Sequence, residues 1–313
     1  MSEEKMKASR QSFGEALANL KDKNVVVLDA DVDSSTCTSI FREKYPERFI
    51  ESGIAEADMI GTAAGLATCG KIPFVSTFAA FATGRVYDQI RTSVAYPKLN
   101  VKICGTHGGI TVGEDGATHQ MLEDINLMRG LPNMVVLSTS DDVSTKKVIK
   151  KIAKYKGPVY LRLSRHKLST IYTEDTEFDI GKGIQIGEGK DGTIFACGDI
   201  LDEVLKAQEI LRRQDLDFRV CDMYSIKPID RKLIEKCAKE TGILFSVEDH
   251  SVIGGLGSAI AEVLCEEYPK KLTRIGINDT FGRSGTADDL IKYFKLDANS
   301  IVDQILIKIR NEI

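Results

Sequence analysis

A chain of 313 residues, 42% hydrophobic and 28% charged, has the composition of ordinary globular proteins and is long enough for two domains at roughly 150 residues each. Its net charge of −4 and pI near 5.7 offer no general attraction to nucleic acid, and no run approaches the ~18 apolar residues of a membrane span. Seven cysteines stand at 37, 69, 104, 197, 221, 237 and 265, without a C-x-x-C pair or ligand-like spacing to histidine, so no metal site is expected on this chain.

The opening MSEEKMKASR mixes charges and lacks an apolar segment, which reads as neither signal nor anchor and makes the cytoplasm the expected compartment. From residue 7 to 164, helical patterns alternate with β-rich runs at NVVVLDA, KIPFVSTF, VKICGT, MVVLST and PVYLRL. That alternation predicts a parallel α/β domain over residues 1–175. The lysines at 146, 147, 150, 151, 154 and 156 interleave with Val143, Val148, Ile149 and Ile152 at helical spacing, the pattern of a solvated helix face. A polar stretch from Thr173 to Asp179 and the glycine-spaced GKGIQIGEGKDG follow. Beyond them TIFACG, FRVCDMY, ILFSVED and TRIGIN alternate with amphipathic segments, predicting a second, smaller α/β domain over 185–313. The fold class is thus two consecutive, mostly parallel α/β domains. Gly254, Gly255 and Gly257 lie between a strand and a helix but miss the G-x-G-x-x-G spacing, and read as a turn.

Two segments concentrate chemistry. ICGTHGGITVGEDGATHQ, residues 103–120, follows a predicted strand, where ligands of open α/β sheets bind. It brings His107, Glu114, Asp115, His119 and Gln120 to one glycine-rich loop. In FIESGIAEADMIGTAAGLA, Glu56 opens a helix built largely of Ala and Gly. A carboxylate there also suits the helix dipole, an effect of about 0.3–1 kcal/mol, and position alone does not separate that reading from a functional one.

The blocks IESGIAEADMIGTAAGLA, FVSTFAAF and THGGITVGEDGATHQ, in this order and spacing, resemble the pyrimidine-binding domain of transketolases. The likeness extends to LPNMVVLSTSDD and LRLSR, and in layout to the C-terminus. The resemblance implies a thiamine diphosphate enzyme that passes a two-carbon ketol unit from a ketose phosphate to an aldose phosphate through a cofactor carbanion. Glu56 matches the glutamate that hydrogen-bonds the aminopyrimidine and relays a proton, a task suited to a carboxyl shielded by Ile54, Met59 and Ile60. Phe78 and Phe81 match the aromatic pair that packs on the aminopyrimidine, although ordinary core phenylalanines share that spacing. His107, His119 and Asp115 match the family's sugar-handling residues, the histidines also moving protons. Arg165 and Arg10 match its phosphate-binding arginines. Ser35 is implied on the same phosphate, with Ser34 an equal candidate, and Asp31 on the thiazolium side.

The sequence departs from the pattern at two points. Gly84 stands where many transketolases carry an aromatic residue, and G-I-A-E has Ala57 where many have histidine. The second feature approaches deoxyxylulose phosphate synthases, the alternative enzyme, whereas His107 favours transketolase. A non-catalytic regulatory or scaffold subunit is the third reading. No G-D-G followed by asparagine occurs to grip the cofactor's diphosphate and its Mg²⁺ or Ca²⁺. The resemblance therefore implies a separately encoded N-terminal partner that carries this motif, in a two-plus-two heterotetramer.

Overall fold

The structure, a computed structural model, describes residues 6–311. The first half supplies β1 (Val25–Asp29), β2 (Phe49–Glu51), β3 (Ile72–Phe78), β4 (Lys102–Thr106), β5 (Val135–Ser138) and β6 (Val159–Arg162). Every residue of β1 and β4 is buried. Their runs are continuously buried rather than alternating because helices cover both faces of the sheet. These helices include α1 (Ser9–Ala18), α2 (Glu56–Thr68), α3 (Asp124–Gly130) and α4 (Asp142–Lys154). α4 begins at a capping box, in which Asp141 accepts from the Ser144 amide and the Ser144 hydroxyl approaches the Asp141 amide. Val143, Val148, Ile149 and Ile152 face inward on α4, as the lysine spacing predicts.

The second half supplies β7 (Ile184–Ile186), β8 (Gly192–Ala196), β9 (Phe218–Asp222), β10 (Ser225–Lys227), β11 (Ile243–Ser251) and β12 (Leu272–Ile277), with α5 (Leu201–Arg212), α6 (Arg231–Glu240), α7 (Leu256–Glu267), α8 (Ala287–Tyr293) and α9 (Ala298–Arg310). Five strands form a sheet ordered β12-β11-β8-β9-β7, parallel except for β7 against β9. The glycines before α7 do shape a turn. Gly254 has φ 77°, and the first amides of the helix, from Leu256 and Gly257, donate to the buried Glu248 carboxylate at 2.6 and 2.9 Å.

β10, like β2 and β7, is not announced by the alternation. β10 leaves the second half and pairs antiparallel with β5, completing a seven-stranded sheet ordered β10-β5-β6-β4-β3-β1-β2 that is otherwise parallel. The Lys227 ammonium reinforces the junction by donating to the carbonyls of Arg129 and Leu131 at 2.8 and 2.5 Å. The polar segment Thr173–Asp179 is also pinned, since Phe178 is buried edge-on between Tyr172 and Tyr224, each centroid 5.1 Å away. A continuous apolar cluster runs from Leu28, Met59 and Ile103 to Phe195, Met223, Leu256 and Ile260, so the halves share core. Among the described residues no helix is long and apolar enough to cross a membrane.

Candidate active site

The carboxyl ends of β1, β3, β4 and β6 open on one rim of the seven-stranded sheet, which is where a parallel sheet presents ligand groups. At the end of β3 the chain enters a π-helical turn, Ala80–Arg85, and such turns recur at functional sites. Phe78 and Phe81 stack there with centroids 6.0 Å apart and planes 13° from parallel. At the end of β4, His107 takes a left-handed conformation with φ 59°. Its ring then lies on Phe78, with centroids 3.9 Å apart. His119, half-buried at the far end of the glycine-rich loop, meets Phe81 edge-on at 5.4 Å.

The protonation state of His107 follows from its neighbours. Its Nε2 is 3.4 Å from Nη1 of Arg10, and its Nδ1 is 2.8 Å from Oγ1 of Thr106. A guanidinium only donates, so Nε2 accepts and the proton sits on Nδ1, donating to the threonine hydroxyl. Burial first, then the charges of Arg10 and Arg165, push this imidazole down to about 3. Arg10 is delivered by the start of α1, where Ser9 is laced to the end of β6: the Ser164 amide donates to its hydroxyl at 2.7 Å and the Arg10 amide donates to the Ser164 carbonyl at 3.3 Å. The same guanidinium donates to the carbonyl of Ser35 at 2.6 Å. Ser35 thus enters through its backbone. Arg165 donates to the Val112 carbonyl at 3.1 Å and lies 3.6 Å from Asp115, with both side chains open to solvent.

Glu56 opens α2 as expected and is buried, its side chain 5% exposed. Its partner is a residue that the sequence reading passed over. Arg85 donates from Nη1 to Oε1 of Glu56 at 2.8 Å, and its guanidinium carbon lies 4.2 Å from the Phe81 centroid. The available signal was the four-residue step from Phe81 to Arg85 on one helical turn. Contacts therefore run unbroken from Glu56 through Arg85, Phe81, Phe78 and His107 to Arg10.

Four predicted residues do not join this run of contacts: Arg165 and Asp115 meet Val112 and each other, and Asp31 and Ile54 also stand apart. The Asp31 amide bonds Oε1 of Glu51 at 2.8 Å on a turn with φ 61°. Ile54, expected to shield Glu56, is 76% exposed, because the bend before α2 directs it away from the helix. Met59 and Ile60 are buried and remain the apolar neighbours from that segment.

The histidine loop is held from the second half of the chain. The Asp249 carboxylate accepts from the Ile110 amide at 3.0 and 3.1 Å, and Asp199 accepts from Thr111 at 2.8 Å. Gln120 donates to the carbonyls of Ile110, Gly113 and Arg283. Gly109, at φ 81°, is required here, since a Cβ would sit 1.9 Å from Oδ2 of Asp249. A flat, N–H-bearing heterocycle fits the Phe81 face and the Glu56 carboxylate, because a flat guanidinium already makes both contacts. Among the described residues no group of three or more His, Cys, Asp and Glu is arranged to hold a metal ion.

Comparison with known proteins agrees. Residues 5–170 match the family profile "Transketolase, pyrimidine binding domain" and residues 181–301 match "Transketolase, C-terminal domain". A protein named as a transketolase C-terminal section from Methanocaldococcus jannaschii is 52% identical over 98% of both chains. Rattus norvegicus transketolase is 38% identical over 95% of this chain, which spans 48% of it. The solved structure titled "Split gene transketolase, inactive beta4 tetramer" superposes with a TM-score of 0.88 at 48% identity, over 95% of this chain and 96% of that one. The chain belongs to the transketolase family and comprises its pyrimidine-binding and C-terminal domains.

Proposed function

We propose that this chain is the C-terminal subunit of a two-chain transketolase, which moves a two-carbon ketol unit from a ketose phosphate to an aldose phosphate. The observation that carries the reading is the unbroken run of contacts from Glu56 to His107 and Arg10. It links a buried carboxylate, a stacked aromatic pair, a neutral histidine and an arginine in one series of neighbouring side chains. Thiamine diphosphate, when bound, would supply the nucleophilic carbon that takes up the ketol unit.

Each residue then has a task. Glu56 holds the pyrimidine ring nitrogen and its proton, while Phe78 and Phe81 offer stacking faces. His107 and His119 hold the sugar's hydroxyls and carbonyl end. Because Arg10 takes the Nε2 lone pair of His107, a bound sugar oxygen has to displace that guanidinium to reach the ring, which ties histidine and arginine to one substrate. Arg10 and Arg165 serve the phosphate end with the Ser35 hydroxyl, Asp115 accepts from a sugar hydroxyl, and Asp31 is assigned to the thiazolium side.

The diphosphate and its Mg²⁺ or Ca²⁺ are assigned to a separately encoded partner in a two-plus-two assembly. Support comes from a relative of matching length named as a C-terminal section and from a neighbouring structure titled as split and inactive. The exposed small-residue face of α2, including Ala57, Gly61 and Gly65, suits close packing there.

Titrating this chain with the partner at saturating thiamine diphosphate and Mg²⁺, on xylulose 5-phosphate plus ribose 5-phosphate, tests the proposal. Activity should rise to a plateau at one partner per copy, with sedimentation showing two of each. Full activity from this chain alone would refute partner dependence, and a requirement for pyruvate would refute the reaction.

A further inference from the structure

Arg85 has no task in that scheme, yet it makes the two contacts assigned there to the aminopyrimidine. Its guanidinium lies over the face of Phe81 at 4.2 Å and donates to Glu56 at 2.8 Å. A guanidinium is planar, delocalised and rimmed with N–H donors, so to a carboxylate beside an aromatic face it presents much of what an aminopyrimidine protonated on its ring nitrogen presents. The two partners are unequally held. The Glu56 side chain is 5% exposed and anchored at the first residue of α2, whereas that of Arg85 is 49% exposed. An ionised carboxylate this buried needs a partner at all times. Arg85 supplies one and is free to leave into water, while Glu56 cannot follow.

We infer that Arg85 is a resident occupant of the pyrimidine pocket, held on Glu56 and Phe81 until the cofactor's aminopyrimidine displaces it into solvent, Glu56 and the ring nitrogen then sharing one proton taken up from water. This rests on the proposed function, since it takes Glu56 and Phe81 as the pyrimidine contacts. Occupation by the side chain balances the Glu56 charge and covers the Phe81 face before cofactor arrives, and it lowers apparent cofactor affinity by the fraction of protein in which the pocket is filled. A half-exposed ion pair with a cation–π contact is a modest competitor, so the reduction is about three- to tenfold. The device therefore spares the apo subunit an unpaired buried charge without blocking assembly of the enzyme.

The test uses the reconstituted two-chain enzyme, with Kd for thiamine diphosphate in saturating Mg²⁺ measured by calorimetry for wild type, Arg85→Ala and Arg85→Gln, and melting temperature recorded with and without cofactor. Both variants should bind about three- to tenfold more tightly. Both should melt at lower temperature than wild type without cofactor, the gap closing when cofactor saturates. Arg85→Gln keeps most of the side chain's volume, so it decides the matter if the alanine variant fails to fold. Unchanged or weaker binding in a folded variant overturns the inference and leaves the functional reading standing. Failure of wild type itself to bind thiamine diphosphate overturns that reading and the inference with it.

Discussion

His107 stacks on Phe78 with ring centroids 3.9 Å apart and planes 30° from parallel, while Arg10 faces its Nε2. This geometry holds a neutral imidazole in place, and burial pushes its pKa down to about 3. Its ring protons should show no titration between pH 5 and 8 when followed by NMR, with His107→Asn identifying the resonance. A midpoint near 6.5 for that signal would contradict the buried, arginine-facing arrangement.

Glu56→Gln should lower turnover by about 10²–10⁴-fold while leaving the fold intact, since glutamine keeps the volume and can still accept from Arg85 but cannot relay a proton. The measurement is turnover at saturating cofactor with a circular dichroism spectrum in parallel. Wild-type turnover would remove Glu56 from the chemistry.

The arginines should separate by substrate. Arg165→Ala, whose side chain is open to solvent, should raise KM for phosphorylated sugars by roughly tenfold or more and spare free glycolaldehyde, because a charge-assisted phosphate contact contributes about 1.5–3 kcal/mol. Arg10→Ala should share that effect and also lower kcat, because Arg10 additionally fixes Ser35 and His107. Equal damage with both substrate types in Arg165→Ala would mean a structural role.

Asp222 gives a pH prediction in the second sheet. Fully buried, it accepts from the hydroxyls of Tyr172 and Ser140 at 2.7 and 3.0 Å, and burial pushes it up to about 7. The folded protein keeps this proton where the unfolded chain has released it. The carboxyl's contribution to stability is therefore complete below about pH 4 and is lost as pH rises through about 7. Asp222→Asn mimics the protonated group and should remove roughly 1–3 kcal/mol of the decline between pH 5 and 8, read from denaturant melts at both pH values. An unchanged slope would show that Asp222 is ionised throughout.

Much of the architecture was legible because strands buried on both faces leave continuous apolar runs and helices leave a 3.6-residue period. The candidate rim could be proposed because a glycine-rich, histidine-bearing segment stands just after one of those runs. Arg85 was not legible. An arginine in a helical turn usually reads as surface, and its partner Glu56 is 29 residues earlier. Asp249 was harder still, since 139 residues separate it from Ile110 and no local pattern marks that meeting. Ile54 failed for the opposite reason: adjacency in sequence to Glu56 suggested cover, and one bend of the chain removed it.

The placement of β10 bears on how the molecule comes apart. Because a strand drawn from the distal half closes the ladder beside Val136 and Leu137, a proteolytic fragment ending near residue 175 would carry an open, apolar sheet margin, ready to pair with another copy and precipitate. Heating should accordingly produce a single calorimetric transition spanning both halves. Neither half can then serve as an interchangeable module, and recombining the two with those of relatives would require the crossover strand to travel with the sheet it completes.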